Sequence, residues 1–324
     1  MKKVTEFPNI PFAMLPTPLY KLEAISAKYG RNIWIKRDDL CGIALGGNKV
    51  RKLEFLLAQA KADGCDIVFT TGGAQSNHAM LTAACAARLG MRAILLLKKR
   101  GVTEHLGNLV LDDIYGAEVR MIDTDSYDDI YALMAEETRR LEAEGHRCCS
   151  IPCGGSNAVG TLGYANCVRE LAEQAEAAGF RPAHIVSATG SGGTTAGLVL
   201  GARRYLPETD VTGIGICDDP FADIVPQLVE EASALLGESA PARDGDFRLG
   251  WNIGAGYAVP NPADTPYIEE LARLEGMLLD PVYTGKAWTG MLKLLEEGWF
   301  GSEGDIVFVH TGGAAALFAI DLPH

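Results

Sequence analysis

The sequence has no uninterrupted apolar run of the length that crosses a membrane. The most apolar stretch, residues 79–97, contains Arg88 and Arg92, whereas a spanning helix needs about 20 predominantly apolar residues. The first residues include Glu6 and Pro8 and hold no apolar segment of the kind found in signal peptides. These absences predict a cytoplasmic protein.

Positive charge is also scarce. The 324 residues include 29 Lys and Arg against 42 Asp and Glu, which gives a formal net charge of −13. Such a field repels nucleic-acid phosphates and anionic lipid, so neither nucleic acid nor a membrane surface is expected as a partner. A small anionic ligand remains possible, because a local basic or backbone site can hold it.

Cysteine is too infrequent for a disulfide scaffold, with eight among 324 residues. Cys149 and Cys153 have no His or Cys partner at zinc-finger spacing, so no metal site is predicted and buried thiols are expected. A cysteine-based redox or metal protein is the alternative class, which elemental analysis would test.

Short β-rich apolar runs alternate with helical stretches along the chain, which predicts an α/β protein with parallel strands and crossover helices. A length of 324 residues favours two domains. The predicted strands lie at 32–36, 66–70, 92–97, 148–151, 184–187, 211–217 and 306–310. The predicted helices lie at 52–63, 77–89, 127–144 and 194–205.

Three glycine-rich turns follow predicted strands, at 72–73, 189–193 and 312–313, and together they indicate one cleft at the carboxyl ends of the strands. The clearest is Ser-Ala-Thr-Gly-Ser-Gly-Gly-Thr-Thr at 187–195. Small residues before a helix let backbone N–H groups approach an anion. This turn has neither the Lys-Ser/Thr pair of a nucleoside-triphosphate loop nor the GxGxxG spacing, so a single phosphate monoester is the predicted guest.

A lysine follows two glycines in Gly46-Gly47-Asn48-Lys49, just before a predicted helix. Desolvation and cationic neighbours lower the pKa of such a lysine and yield a neutral amine that can attack a carbonyl. The alternative is a basic surface turn, since Arg51 and Lys52 are close.

A second polar group, Gln75-Ser76-Asn77-His78, stands where a strand ends and a helix begins. Asn77 suits the N-cap position of that helix, and this structural role alone would explain it. Ser76 and His78 are close neighbours in sequence, and the chain has no G-x-S-x-G motif, so serine hydrolysis is not favoured.

With these elements in place, the chain resembles the pyridoxal-phosphate enzymes of the tryptophan-synthase β-like group, fold type II. Within that group it is most similar to the D-cysteine desulfhydrase and 1-aminocyclopropane-1-carboxylate deaminase subgroup, and closer to D-cysteine desulfhydrase. The motifs that carry the resemblance occur in the family's order at 16–19, 35–39, 46–54, 72–77, 151–157, 189–195, 256–257 and 280–286.

The resemblance implies a role for each matching residue. Lys49 corresponds to the lysine that carries the pyridoxal 5'-phosphate cofactor, and Asn77 to the asparagine that hydrogen-bonds its ring hydroxyl. Ser76 corresponds to a catalytic serine near the substrate carboxylate and Cα, and Ser76, Asn77 and His78 to substrate-binding positions. Tyr257 and Tyr283 correspond to two catalytic tyrosines that face the substrate; a packed core aromatic is the alternative for each tyrosine. The phosphate-binding turn corresponds to Thr189, Gly190, Ser191, Gly192, Gly193 and Thr194.

The resemblance also implies two open, twisted, mostly parallel sheets with the active site in the cleft between them. The larger, cofactor-binding domain would comprise residues 1–50 and 161–324, and the smaller domain residues 51–160. Lys49 would lie at the junction. A homodimer is the assembly implied.

At one position the chain differs from some members of the family, and this difference indicates which activity to expect. Ring-opening deaminases carry a glutamate directly after the second tyrosine, where this chain has Thr284. Thr284 or Thr311 would then supply a hydroxyl to the pyridine nitrogen, which disfavours ring opening and favours β-elimination. D-cysteine, converted to pyruvate, sulfide and ammonia, is the implied substrate, with L-cysteate losing sulfite next and ring-opening deamination third.

Two questions stay open from the sequence. Either Lys49 or a tyrosine phenolate removes the Cα proton, and the choice also bears on D or L preference. A phosphate-ligand binding module, which is not an enzyme, would need the turn at 189–195 but not Lys49.

Overall fold

Two separate β-sheets form the frame of the molecule. The structure is a computed structural model that describes residues 2–238 and 245–323. The strands in these residues are β1 Leu19–Lys21, β2 Ile33–Arg37, β3 Ile67–Gly73, β4 Arg92–Lys98, β5 Glu118–Ile122, β6 Cys148–Ser150, β7 Pro182–Thr189, β8 Asp210–Gly215, β9 Phe247–Trp251 and β10 Asp305–His310. The helices are α1 Glu23–Tyr29, α2 Lys49–Ala62, α3 Asn77–Leu89, α4 Asn108–Ile114, α5 Tyr127–Ala143, α6 Ala158–Ala178, α7 Gly193–Tyr205, α8 Phe221–Leu235, α9 Thr265–Glu275 and α10 Thr284–Glu296.

The larger sheet has the order β1-β2-β10-β7-β8-β9 and the smaller the order β5-β4-β3-β6. All neighbours are parallel except β1, which is antiparallel to β2. The α/β class with two open, mostly parallel sheets is therefore confirmed. Because both sheets are mostly parallel, the loops that follow neighbouring strands gather at the same end of each sheet, where the carboxyl ends of the strands lie.

The smaller sheet is covered on both faces, which explains its near-continuous apolar strands. Side chains of a strand alternate between faces. In β4, Ile94 and Leu96 pack with residues of α5, while Leu95 and Leu97 pack on the opposite face with residues of α2 and α3. Both faces are thus buried, and β4 carries an unbroken run of apolar residues from Ala93 to Leu97.

The division of the sheets follows the chain. Strands of the smaller sheet all lie between residues 67 and 150, and strands of the larger sheet lie before residue 38 or after residue 181. The domain boundaries expected above, at 50/51 and 160/161, remain a prediction; residues 1, 239–244 and 324 of those ranges lie outside the described residues. Among the described helices, none is long and apolar enough to span a membrane.

Every predicted strand and helix overlaps an observed one, but the predicted start of α2 was wrong. The helix begins at Lys49, not at residue 52. The apolar pattern does not reveal this start, because the polar residues Arg51, Lys52 and Glu54 are buried together with Val50 and Leu53.

A buried ionic network fixes the start of α2 against the larger sheet. The Arg51 guanidinium donates from Nε to Asp38 Oδ2 (2.8 Å) and from Nη1 to Glu170 Oε2 (3.0 Å). The Lys36 ammonium also pairs with Glu170. Burial alone would raise the pKa of Asp38, but the Arg51 charge outweighs it and holds that pKa at about 2. The network therefore orients the first turn of α2, where Lys49 stands.

Candidate active site

A cavity of about 480 Å³ lies where the carboxyl ends of the two sheets face each other. Loops after β3 and β4 of the smaller sheet line it together with loops after β7, β8 and β10 of the larger one. The three glycine-rich turns predicted to share a cleft all contribute to its wall, through Gly72 and Gly73, residues 190–192, and Gly312.

Lys49 stands in the wall of this cavity as the first residue of α2. Gly46 and Gly47 adopt φ values of +69° and +126°, and this left-handed turn directs the chain into the helix. The Lys49 ammonium donates to the carbonyl of Gly154 (3.2 Å). Burial lowers the pKa of Lys49 to about 8, so a neutral amine is accessible near neutral pH.

The phosphate-binding turn predicted from the sequence joins β7 to α7. Gly190, Ser191, Gly192 and Thr194 line the cavity at the N-terminus of α7, where backbone N–H groups and the helix dipole favour an anion. Gly192 has φ +80°.

Two members of the predicted turn do not line the cavity. The Thr189 hydroxyl bonds that of Thr195 (2.7 Å), and the Gly193 N–H donates to Ser156 Oγ (3.2 Å). Thr189 and Gly193 therefore fix the shape of the turn on the side away from the cavity.

Lys52 is a functional candidate that the sequence analysis missed. It is fully buried, and its ammonium donates to the Gly154 carbonyl (3.1 Å) and to Ser156 Oγ (3.3 Å). A Cβ built on Gly193 would lie 2.7 Å from Lys52 Nζ, so this cation stands directly behind the anion-binding turn. Desolvation, and then the nearby Lys49 charge, lower the pKa of Lys52 well below its usual value. The sequence signal that could have identified Lys52 was its position three residues after Lys49, about one helical turn away.

The predicted substrate-binding residues stand together at the N-terminus of α3. Ser76 caps the helix by accepting from the Ala79 N–H (3.2 Å), which leaves its own O–H free to donate into the cavity. The N-cap of α3 is therefore Ser76, whereas the sequence had suggested Asn77.

Asn77 and His78 are oriented by neighbours that the sequence did not identify. Asn108 Nδ2 donates to Asn77 Oδ1 (2.8 Å), so the Asn77 amide nitrogen is the end available to a ligand oxygen. His78 Nε2 bonds the Thr70 hydroxyl (2.8 Å), which in turn donates to the Ile151 carbonyl (2.9 Å). His78 therefore donates from Nε2, and desolvation keeps its pKa well below the usual value, so it is neutral.

The two predicted tyrosines meet in the cavity. The hydroxyls of Tyr257 and Tyr283 are hydrogen-bonded to each other, with their rings edge to face at a centroid distance of 5.9 Å. Burial raises the pKa of both groups, so both keep their protons at neutral pH. The pair supplies hydrogen-bond donors rather than a ready phenolate base.

Of the two threonines considered for the pyridine nitrogen, only Thr311 lines the cavity. Its carbonyl accepts from the Asn48 N–H (3.0 Å), which places it next to Lys49. Thr284 instead is buried and bonded to Asp280, donating to one of its carboxylate oxygens (2.6 Å). The structure therefore brings Thr311, and not Thr284, to the site.

All eight cysteines are free thiols. Across residues 2–238 and 245–323, no group of three or more His, Cys, Asp and Glu side chains is arranged to hold a metal ion.

Comparison with known proteins identifies the family. A sequence profile described as "Pyridoxal-phosphate dependent enzyme" matches residues 10–312. The chain belongs to this family of pyridoxal-phosphate-dependent enzymes. Its cofactor is pyridoxal phosphate.

Solved structures agree with this family membership. A crystal structure of an ACC deaminase homologue is similar with 37% identity and a TM-score of 0.91, covering 97% of this chain and 94% of that chain. A fungal L-serine ammonia-lyase from Rhizomucor miehei shares 18% identity with a TM-score of 0.67, covering 94% of each chain. The apo diaminopropionate ammonia lyase of Escherichia coli shares 16% identity with a TM-score of 0.67, covering 94% and 84%. The last two share the fold type II architecture.

The residues of this pyridoxal-phosphate-dependent enzyme fit the cofactor. The turn at Gly190–Thr194 offers N–H donors to a phosphate monoester, and the buried Lys52 stands behind that turn. The Asn77 amide nitrogen would donate to the ring hydroxyl of the cofactor, and the Thr311 hydroxyl would bond its pyridine nitrogen. Gly154 leaves room beside the Lys49 amine, since a Cβ there would lie 3.1 Å from its Nζ. Lys49 would hold the cofactor covalently.

Proposed function

We propose that this enzyme catalyses α,β-elimination on a small amino acid with a sulfur-containing β-substituent, releasing pyruvate and ammonia. D-cysteine, with sulfide as the leaving group, is the substrate that the family resemblance implies. L-cysteate, with sulfite as the leaving group, is the second candidate, and a cation described below favours it.

One arrangement carries the proposal: the Lys49 amine, the Tyr257–Tyr283 hydroxyl pair and the Thr311 hydroxyl line the same cavity. The residue after Tyr283 is not a glutamate but Thr284, which is bonded to Asp280 outside that lining. When bound, pyridoxal phosphate acts as an electron sink that acidifies the Cα–H bond of an attached amino acid. A threonine hydroxyl, unlike a carboxylate, does not hold the pyridine nitrogen protonated. This difference disfavours cyclopropane opening and suits the loss of a good leaving group.

Proton transfer falls to Lys49 in this proposal. Its pKa of about 8 makes the amine an effective acceptor for the Cα proton near neutral pH. The tyrosines, whose pKa values burial raises, stay protonated and donate to the substrate. The Ser76 hydroxyl and the N–H groups at the start of α3 would bind the substrate carboxylate.

The test is product release by the purified holoenzyme with D-cysteine, L-cysteine, L-cysteate and 1-aminocyclopropane-1-carboxylate. We expect pyruvate from a sulfur-containing substrate, with sulfide or sulfite released one for one. The Lys49→Ala variant should lose this activity, whereas Lys61→Ala, on the exposed side of the same helix, should keep it. Formation of 2-oxobutanoate from the cyclopropane, or no pyruvate from any amino acid, would refute elimination.

A further inference from the structure

A further cation, Lys98, lines the cavity and has no part in the cofactor site described above. It is the last residue of β4 and pairs in register with Gly73 of β3. Only 6% of the residue is exposed. The strand therefore carries the lysine to the carboxyl edge of the smaller sheet, where it is enclosed.

The Lys98 ammonium has few partners for a buried charge. It donates to the main-chain carbonyl of Asp125 (2.6 Å) and lies 3.5 Å from the centroid of the Tyr127 ring. No carboxylate of the described residues lies within 4.0 Å of it. An ammonium can donate three hydrogen bonds, and a buried charge without a counter-ion is costly, so this group is suited to an anionic ligand.

Burial and then Arg100 lower the pKa of Lys98 and the charges of Asp125 and Asp219 raise it, but neither carboxylate forms an ion pair with Lys98. The Asp125 carboxylate pairs with Arg100, which donates from Nε at 2.7 Å, so these two charges cancel. Asp219 comes from the loop after β8 of the other sheet and accepts from the Cys217 thiol (3.5 Å). Asp218 lines the cavity from the same loop.

The position of Lys98 corresponds to the substrate end of the cavity. Its register partner Gly73 faces Tyr257, since a Cβ built on Gly73 would lie 3.2 Å from that ring. Ser76 follows three residues after Gly73 on the same wall. The phosphate-binding turn follows β7 of the other sheet, whereas Lys98 stands beside Gly73 and the Tyr127 ring.

We propose that Lys98 binds an acidic group at the end of the substrate's side chain, and that the preferred substrate is an amino acid with a sulfonate on its β-carbon. This inference rests on the proposed elimination and places L-cysteate ahead of cysteine. The C–S bond breaks with its electron pair leaving on sulfur as sulfite, and the Cα proton passes to Lys49. One water is taken up as the carbon skeleton leaves as pyruvate and the nitrogen as ammonium, so no oxidant or reductant is needed.

Binding tests the inference without turnover. The holoenzyme is titrated calorimetrically with 3-sulfopropionate, which lacks an amine, and with butanoate, which lacks the sulfonate. We expect 3-sulfopropionate to bind at least tenfold more tightly. Lys98→Met should weaken its binding roughly 10- to 100-fold, the effect of losing one charge-assisted hydrogen bond, and leave butanoate unchanged. Lys99→Met is the matched control, because Lys99 is the next residue and is exposed.

Kinetics supply the second readout. Lys98→Met should reduce kcat/KM for L-cysteate by a similar factor and change that for cysteine less than threefold. Equal binding of the two acids by the parent enzyme, or equal losses in the Lys98 and Lys99 variants, would overturn the inference. Lys98-dependent binding of 3-sulfopropionate without pyruvate from any amino acid would support the anion site and refute the proposed elimination alone.

Discussion

Replacing Arg51 with methionine tests whether the buried ionic network holds the start of α2. Arg51 donates to both carboxylate oxygens of Asp38, at 2.8 and 2.9 Å, and to both of Glu170, at 3.0 and 2.9 Å. Methionine keeps much of the side-chain volume but removes the charge. Glu170 would still have the Lys36 ammonium, whereas Asp38 would lose its paired cation and keep neutral donors, the hydroxyls of Thr17 and Tyr164 and the Cys167 thiol.

The expected effect is that of one uncompensated buried charge. Breaking a buried ion pair in this way lowers the free energy of unfolding by about 3 to 5 kcal/mol. The measurement is urea unfolding of the holoenzyme at pH 7, followed by circular dichroism. Arg140→Met is the control, because Arg140 forms exposed ion pairs with Glu137 and Glu144 and such pairs contribute little. A loss below about 1 kcal/mol for Arg51→Met would refute the reasoning, since it would show no buried charge left unpaired.

The pH dependence has a definite sign. In the parent protein the pKa of Asp38 is held at about 2, below its unfolded value, so its contribution is present at neutral pH and is lost as the pH falls towards 2. Without Arg51, we expect burial to outweigh the smaller effects of Lys36 and Tyr164 and to raise the folded pKa of Asp38 above the unfolded value. The variant is then destabilised at neutral pH and not below the unfolded pKa. The difference between parent and variant should therefore shrink as the pH falls from 7 to 4. A constant difference would contradict this assignment.

Three further predictions concern the site. Lys52→Met should weaken pyridoxal phosphate binding by roughly 10- to 100-fold in equilibrium dialysis, because it removes the amine that bonds Gly154 and Ser156 behind the phosphate-binding turn; equal binding by the exposed-site control Lys61→Met and by Lys52→Met would count against it. Tyr283→Phe removes one hydroxyl of the tyrosine pair and should lower kcat about 100-fold while leaving the visible absorption of the bound cofactor unchanged, and an unaltered kcat would exclude a role as hydrogen-bond donor to the reacting substrate. The rate at which cofactor-free protein attaches pyridoxal phosphate should rise about fivefold from pH 7 to pH 8 and less than twofold from pH 8 to pH 9, because the pKa of Lys49 is lowered to about 8; a rise that continues towards pH 10 would contradict that lowering.

The sequence predicts the interior strands well and the edges poorly. The strands that it missed, β1, β5 and β9, are all edge strands, and only one of their residues, Gly250, is buried. Apolar periodicity reports burial, so a strand buried on neither face leaves little signal. The fold class could be predicted because the central strands of both sheets are buried, and the apolar pattern of the sequence reports burial.

The sequence predicts site residues only where the residues that act together are close in the sequence. The glycine turn before α7 and the lysine after Gly47 are contiguous patterns with a physical reading. Lys52 and Asn108 depend instead on contacts across 102 and 31 residues, to Gly154 and to Asn77, and spacing along the chain does not report such contacts. The choice between the two threonines likewise needed the fold, because only the fold shows Thr284 bonded to Asp280.

The half-buried Lys49 and the buried Lys52 donate to the same Gly154 carbonyl, so the central question is which of these two lysines carries the cofactor. Borohydride reduction of the holoenzyme converts a lysine-bound pyridoxal phosphate into a stable secondary amine. Proteolysis and mass spectrometry of the α2 peptides then identify the modified residue. We expect modification of Lys49 alone, with Lys52 unmodified. Modification of Lys52, or of neither residue, would contradict the account.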